Sequence, residues 1–182
     1  GAQVQDISET MMGRDGELAE ALSLLRANRL VTLLAPGGMG KSTLARAIAE
    51  AANAEFSEGA CHVPLAALES ADDIPAAIAS SCGITIGPGF PVLDQVLHHF
   101  RDREILLVLD NFERLIDGAL VVRKLLDAGP HLRVLATSRE RLGLHDEVLM
   151  RLGGLPVPPE GGSIDNAAIR LFARHAQRVS PG

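Results

Sequence analysis

The sequence contains few aromatic residues and few cysteines. Of its 182 residues 3% are aromatic, and tryptophan and tyrosine are absent. The core must therefore be built mainly from Leu, Ala, Val and Ile, in line with a hydrophobic content of 47%. The two cysteines, Cys61 and Cys82, have neither the spacing of a metal site nor that of a disulfide framework. We therefore expect buried free thiols in a reducing compartment.

Clustered positive charge is also lacking. The formal net charge is −6, whereas a domain that holds a phosphate backbone by itself needs clustered Lys and Arg. We therefore expect this stretch of chain to bind neither nucleic acid nor an anionic membrane directly. No apolar run approaches the ~20 residues that span a bilayer, and the N-terminus lacks the pattern of a secretory signal. These absences predict a cytoplasmic location.

Short apolar segments alternate with segments of helical spacing. Strands are predicted at 31–35, 61–68, 104–110, 132–138 and 146–152. Helices are predicted at 14–28, 42–54, 72–83, 92–101 and 165–179, and a further helix ends at Ala128. The second strand is assigned to a sheet edge because Pro64 has no N–H to donate. This alternation predicts an α/β fold in which helices cover both faces of a mostly parallel sheet.

A glycine-rich loop follows the first predicted strand. The segment APGGMGKS at 35–42 matches the P-loop pattern G-x-x-x-x-G-K-[ST] except at Ala35, which replaces a glycine. We expect Lys41 to reach the β- and γ-phosphates of a nucleotide, and the Ser42 hydroxyl to bind magnesium. Alanine is tolerated at the first position if φ stays negative there. The residues predicted to surround the phosphates are Pro36, Gly37, Gly38, Met39 and Gly40.

The strand predicted at 104–110 ends in an acid. With a P-loop upstream, we expect Asp110 to hold magnesium, directly or through a water; the alternative is a cap for the following helix. Asn111 stands where many ATP-hydrolysing proteins have a second acid, and an amide cannot take a proton from water. Glu113 is the nearest carboxylate that could activate water, the alternative being a solvated glutamate in a first helical turn. Efficient hydrolysis is therefore not predicted.

An arginine follows the strand predicted at 132–138. The segment TSRE at 137–140 places Arg139 at a strand end, where its guanidinium would sense the γ-phosphate. The alternative is a surface arginine in the first turn of a helix capped by Ser138. Because ligands in parallel sheets bind beyond the carboxyl ends of the strands, the P-loop, Asp110 and Arg139 are expected at one edge.

Four motifs in order resemble the STAND class of P-loop ATPases, and most closely an NB-ARC-related ATPase domain of large bacterial transcriptional regulators and signalling proteins. They are MGRDGEL (12–18), LLAPGGMGKSTLA (33–45), LLVLDNFERL (106–115) and VLATSRERL (134–142). The resemblance implies ATP or ADP with Mg²⁺ as ligands. It also implies an ADP-bound resting state, and oligomerisation or contacts with partner domains after exchange for ATP.

The resemblance assigns roles to matching positions. Met12, Gly13 and Arg14 correspond to the segment that lies against adenine and ribose. Lys41, Ser42 and Thr43 correspond to phosphate and magnesium ligands, Asp110 to the magnesium-side acid, and Arg139 to the γ-phosphate sensor.

The resemblance also divides the chain into a nucleotide-binding domain at 1–152 and a linker with the first helix of a truncated lid at 153–182. The expected protein is thus a fragment of a longer regulator, with weak ATPase activity at most. Two other functions stay open. One is an active AAA+-like ATPase or phosphotransferase, and the other is an interaction platform that no longer binds nucleotide.

Overall fold

The structure is a computed structural model that describes residues 15–36 and 40–152, with Arg114 described by its backbone alone. Five parallel strands form one sheet in the order β2-β3-β4-β1-β5. The strands are β1 (Leu30–Leu34), β2 (Ala60–Pro64), β3 (Leu106–Asp110), β4 (Arg133–Ser138) and β5 (Glu147–Arg151). The helices are α1 (Asp15–Ala27), α2 (Lys41–Ala52), α3 (Ile74–Cys82), α4 (Val92–Phe100) and α5 (Ala119–Ala128). The predicted α/β fold with helices on both faces is confirmed.

The strand order brings the predicted site residues together. β4 pairs with β1 on one side and with β3 on the other, all in parallel. The end of β3 and the loop after β1 therefore lie on either side of the end of β4, at the same sheet edge. β2 lies at an edge of the sheet, as Pro64 predicts, and β5 forms the opposite edge beside β1.

The sheet separates two apolar cores. Side chains of successive strand residues point to opposite faces, so in β3 Leu107 and Leu109 enter one core while Leu106 and Val108 enter the other. Helices α3, α4 and α5 cover the first face, and α1 and α2 cover the second. The face under α2 is the one that carries Asp110, Thr137 and His62, the polar residues of the candidate site.

Local signals explain several boundaries. α3 ends at Gly83, whose φ of 70° lies in the left-handed region that glycine adopts without strain. A short 3-10 turn at Ala71–Asp73 precedes α3, with the Ser70 hydroxyl accepting the Asp72 N–H at 3.1 Å. Another 3-10 segment, Glu113–Gly118, connects β3 to α5. None of the described helices is long and apolar enough to cross a membrane.

Both cysteines are free thiols. Cys61 is buried as predicted, whereas Cys82, the last residue of α3, is only half-buried. A hydrogen bond between the two thiols lowers the pKa of Cys61 and raises that of Cys82.

A buried glutamate holds the irregular segment between β4 and β5. The carboxylate of Glu147 accepts the backbone N–H of Leu142 at 2.8 Å and that of Gly143 at 3.0 Å, together with the Thr32 hydroxyl. Glu147 is only 6% exposed. The segment thus lies against the first face of the sheet, where Leu142 and Leu144 join the core. No helix connects β4 to β5, so the hydrogen bonds of the Glu147 carboxylate hold the connecting segment in place.

The predicted lid helix and linker at 153–182 lie outside the described residues, and the proposed domain division stays a prediction.

Candidate functional site

The first element of the site is the start of α2. Gly40 precedes the helix with a φ of 74°, and the Leu44 N–H donates to the Gly40 carbonyl at 3.0 Å. No side chain caps this helix start, and its first turn contains no acidic residue. The free N–H groups and the positive end of the helix dipole therefore remain available to an anion. That arrangement suits a phosphate group.

Lys41, the first residue of α2, is buried, although lysine is rarely buried without a partner. Its Nζ forms an ion pair with Glu113 Oε1, and the two side chains are 9% and 13% exposed. The alternative of a solvated Glu113 is therefore wrong: the 3-10 segment after β3 directs this carboxylate inward. The Asn111 side-chain amide lies beside the same carboxylate. The pair places a cation and a carboxylate at the P-loop end of the sheet.

Asp110 ends β3 and is 4% exposed. Its Oδ1 accepts a hydrogen bond from the Thr137 hydroxyl at 2.6 Å, and its Oδ2 lies 3.0 Å from His62 Nε2. Each carboxylate oxygen can accept two hydrogen bonds, so each keeps one acceptor direction. The described contacts of Asp110 do not cap a following helix, because both involve neighbouring strands.

Asn111 turns the chain sharply after β3. Its φ of 74° is the only positive value at a non-glycine residue in the described part of the chain, and asparagine tolerates that region better than most residues. Its N–H donates to the Thr137 hydroxyl at 2.7 Å, and the Phe112 N–H donates to the Thr137 carbonyl at 2.8 Å. Thr137 therefore fixes both the acid and the turn behind it. Since Asn111 alone among the described non-glycine residues has a positive φ, the φ of Ala35 is negative, which is the condition for an alanine at the first position of the P-loop motif.

Ser138 and Arg139 follow at the end of β4. The Ser138 hydroxyl accepts the Glu140 N–H at 3.1 Å, but no helix begins there, so the alternative of a helix cap is wrong. Arg139 is exposed, and its guanidinium forms no ion pair within the described residues. The Ser138 carbonyl accepts the Ala35 N–H at 3.0 Å. Arg139 thus begins beside the first P-loop residue, and it lies at the surface as the alternative expected, although not in a helix.

Some of the other predicted site residues belong to the part of the chain that the structure describes, and some do not. Pro36 is exposed beside the loop, Ser42 is half-buried and Thr43 is exposed in the first turn of α2. The residues that lie outside the described part are Met12, Gly13, Arg14, Gly37, Gly38 and Met39. The adenine-side prediction and the centre of the loop therefore stay predictions.

Sequence reasoning missed two residues of this site, His62 and Thr137. Thr137 stands two positions before the predicted sensor, and strand alternation alone could have placed it on the face of the sheet opposite Ala136. His62 offered no such signal, because its place depends on β2 pairing with β3.

The donor types at this edge fit magnesium bound to a nucleotide. Mg²⁺ prefers oxygen ligands and is usually held by one or two carboxylates together with substrate phosphates. Asp110 and Ser42 supply a carboxylate and a hydroxyl. No group of three or more His, Cys, Asp or Glu suited to a metal occurs among the described residues.

Comparison with known proteins gives relatives but no family profile, since none of the known protein-family profiles matches the chain. Over 161 residues it is 40% identical to a provisionally named HTH-type transcriptional regulator of Mycobacterium tuberculosis, covering 88% of this chain and 17% of that protein. It is 37% identical over 171 residues to an uncharacterised protein of the same organism, covering 93% and 42%. The chain thus spans less than half of these relatives.

Solved structures with the same fold are more distant. Cdc6p of Pyrobaculum aerophilum has a TM-score of 0.57 at 19% identity, over 70% of this chain and 39% of that one. The ADP form of the Aeropyrum pernix ORC2 protein has a TM-score of 0.52 at 21% identity, over 70% and 42%. A Walker-type ATPase of Pyrococcus abyssi has a TM-score of 0.50 at 14% identity, over 90% and 62%. The chain therefore has the α/β fold of the P-loop NTPases.

Proposed function

We propose that this chain is an ATP- and ADP-binding regulatory domain, of the STAND type related to NB-ARC, within a longer signalling or transcription-regulating protein. The observation that carries the proposal is the start of α2, where Lys41 is buried beside uncapped helical N–H groups. A buried lysine next to free amide donors suits a phosphate, although Lys41 also neutralises Glu113. The ADP form of the ORC2 protein and the regulator of M. tuberculosis support this direction.

Each residue has a role in the proposal. Lys41 and the N–H groups of α2 hold the phosphates, and Ser42 and Asp110 hold magnesium, which neutralises phosphate charge when bound. Exposed Arg139 senses the γ-phosphate. ATP and ADP then bind two states of the domain with different affinity, which is all that a switch requires.

The Lys41–Glu113 pair and Asn111 support slow hydrolysis at most. A general base must lie within hydrogen-bond reach of the attacking water, whereas the Glu113 carboxylate is held against the buried Lys41 through its Oε1. Asn111 cannot accept the proton in its place. We therefore expect such a domain to hydrolyse bound ATP slowly and to keep the nucleotide bound for a long time.

Nucleotide analysis of the purified protein tests the switch. We expect ADP to copurify in substantial amount, and steady-state ATP turnover to stay far below the roughly 10 s⁻¹ of an ordinary enzyme. Nucleotide is measured by chromatography after denaturation, and turnover by phosphate release. Brisk multiple turnover would contradict the switch.

The competing function is an active ATPase of the AAA+ kind or a phosphotransferase. One observation favours it: Glu113 faces the P-loop lysine and could act as a base once the pair opens. The test is Glu113→Gln, which removes the negative charge beside the phosphates.

We expect Glu113→Gln to tighten ATP binding by about threefold, because Lys41 is no longer neutralised by a buried carboxylate. Turnover should remain slow. A matched control is Asp117→Asn, the same loss of charge at an exposed position of the same 3-10 segment. If turnover is brisk in the unmodified chain and lost in Glu113→Gln with binding intact, Glu113 is a catalytic base and the enzyme reading replaces the switch.

A further inference from the structure

Three polar side chains form a row across three neighbouring strands. In the register of the sheet, His62 of β2 lies opposite Val108 and Pro64 lies opposite Asp110. His62 therefore reaches Asp110 diagonally, on the face of the sheet that α2 covers. The row continues to Thr137 of β4, and elsewhere this face is apolar.

The row is a connected chain of hydrogen bonds. The Asn111 N–H donates to Thr137 Oγ1, so that hydroxyl must donate its own proton onward to Asp110 Oδ1. Thr137 accordingly anchors one carboxylate oxygen. The other oxygen, Oδ2, has His62 Nε2 as its described partner at 3.0 Å. Without His62 the Asp110 carboxylate would be held at one point and could rotate about its Cβ–Cγ bond.

We propose that His62 is a positioning residue that fixes the Asp110 carboxylate for a magnesium-bound nucleoside triphosphate. Its Nε2–H donates to Oδ2, and together with Thr137 it holds the plane of the carboxylate. Each oxygen has one further acceptor direction, which magnesium or its waters would use when bound. His62 acts through Asp110 and touches no phosphate. The inference rests on the proposed function, since it concerns the magnesium side of that site.

The position of His62 argues against a purely structural role. It lies on an edge strand with its side chain 19% exposed, so a small apolar residue would complete this face with less desolvation of polar atoms. A partner that orients a metal-binding group typically changes metal affinity by about 10–100-fold when it is removed. A packing residue would change stability and leave the magnesium dependence of binding unchanged.

The test compares ATP affinity in excess magnesium and in EDTA by calorimetry. His62→Phe keeps a planar ring and removes the donor, and His62→Gln keeps an N–H at similar reach. The quantity compared is the ratio of the ATP affinity in magnesium to the ATP affinity in EDTA. We expect this ratio to be about tenfold smaller in the phenylalanine variant, with the affinity in EDTA unchanged. The glutamine variant should restore most of this ratio. His131→Phe, at an exposed position just before β4, is the matched control.

The outcomes separate this inference from the proposed function. If the unmodified chain binds no ATP in either condition, the proposed function itself fails. Two results would overturn the role of His62 alone, provided that the unmodified chain binds ATP more tightly with magnesium. One is that folded His62→Phe keeps the whole magnesium effect. The other is that its affinities in magnesium and in EDTA fall by the same factor.

A spectroscopic measurement on the unmodified chain covers the case in which the phenylalanine variant does not fold. We expect the Nε2 resonance of His62 to shift when ATP and magnesium are added together, and to shift little with ATP in EDTA. Equal shifts in both conditions, or none with magnesium, would overturn the inference.

Discussion

We expect Lys41→Ala to weaken ATP binding by at least about tenfold in calorimetry with magnesium present, a loss of about 1.4 kcal/mol or more. The lysine is 7% exposed at the start of α2, where the first turn has no acid and no side-chain cap. A charge-assisted contact to phosphate is strong in such a partly desolvated place. Unchanged affinity would undermine the assignment of the P-loop.

The ion pair requires a control for stability. Removing Lys41 leaves Glu113 without its cation in a largely buried position, which destabilises the fold as well as the site. The double variant Lys41→Ala/Glu113→Gln removes that charge, so it should recover stability without recovering ATP binding. Lys124→Ala, at an exposed position of α5, should change neither quantity. If the double variant binds ATP normally, the loss in the single variant was a folding effect.

The second large effect concerns stability. Glu147→Ala should lower the free energy of unfolding by about 3–5 kcal/mol, because it leaves two buried hydrogen-bond donors and one part-buried donor without their acceptor. For a chain of this size the melting temperature should fall by about 6–20 °C. Calorimetric or circular-dichroism melting measures it.

The matched control is Asp146→Ala, next to Glu147 in sequence. Asp146 has a side chain 58% exposed, and among the described residues it forms an ion pair only with Arg123, at 3.4 Å. An exposed pair contributes about 0–1 kcal/mol, so this variant should melt within a few degrees of the unmodified chain. Equal losses in the two variants would show that the segment between β4 and β5 does not depend on the Glu147 carboxylate.

The predicted elements were confirmed where apolar periodicity was strong. β1 and β3 are buried at every position and β4 at every position but Arg133, their buried residues being mostly apolar, and α1 and α2 present helical stripes to one core. Even β5, with its buried Glu147, was found where the pattern places a strand. Each of these signals is local, since a strand or helix is encoded by the spacing of its own residues.

The contacts of the site could not be predicted because they depend on strand order. Nothing in local spacing says that β4 lies between β1 and β3, or that β2 pairs with β3. Thr137 and His62 therefore stayed outside the predicted site although both contact Asp110. The Lys41–Glu113 pair joins residues 72 positions apart, and only the folded chain shows that Glu113 faces inward.

The central claim is that this edge of the sheet binds a magnesium nucleotide, and calorimetry on the unmodified chain tests it most directly. Nucleotide is first removed by denaturation and refolding, and the chain is then titrated with ATP or ADP in the presence of magnesium. We predict saturable binding of both, one molecule per chain, with each blocking the other. Absence of binding to either nucleotide by a folded chain would contradict the claim and leave an interaction platform as the remaining function.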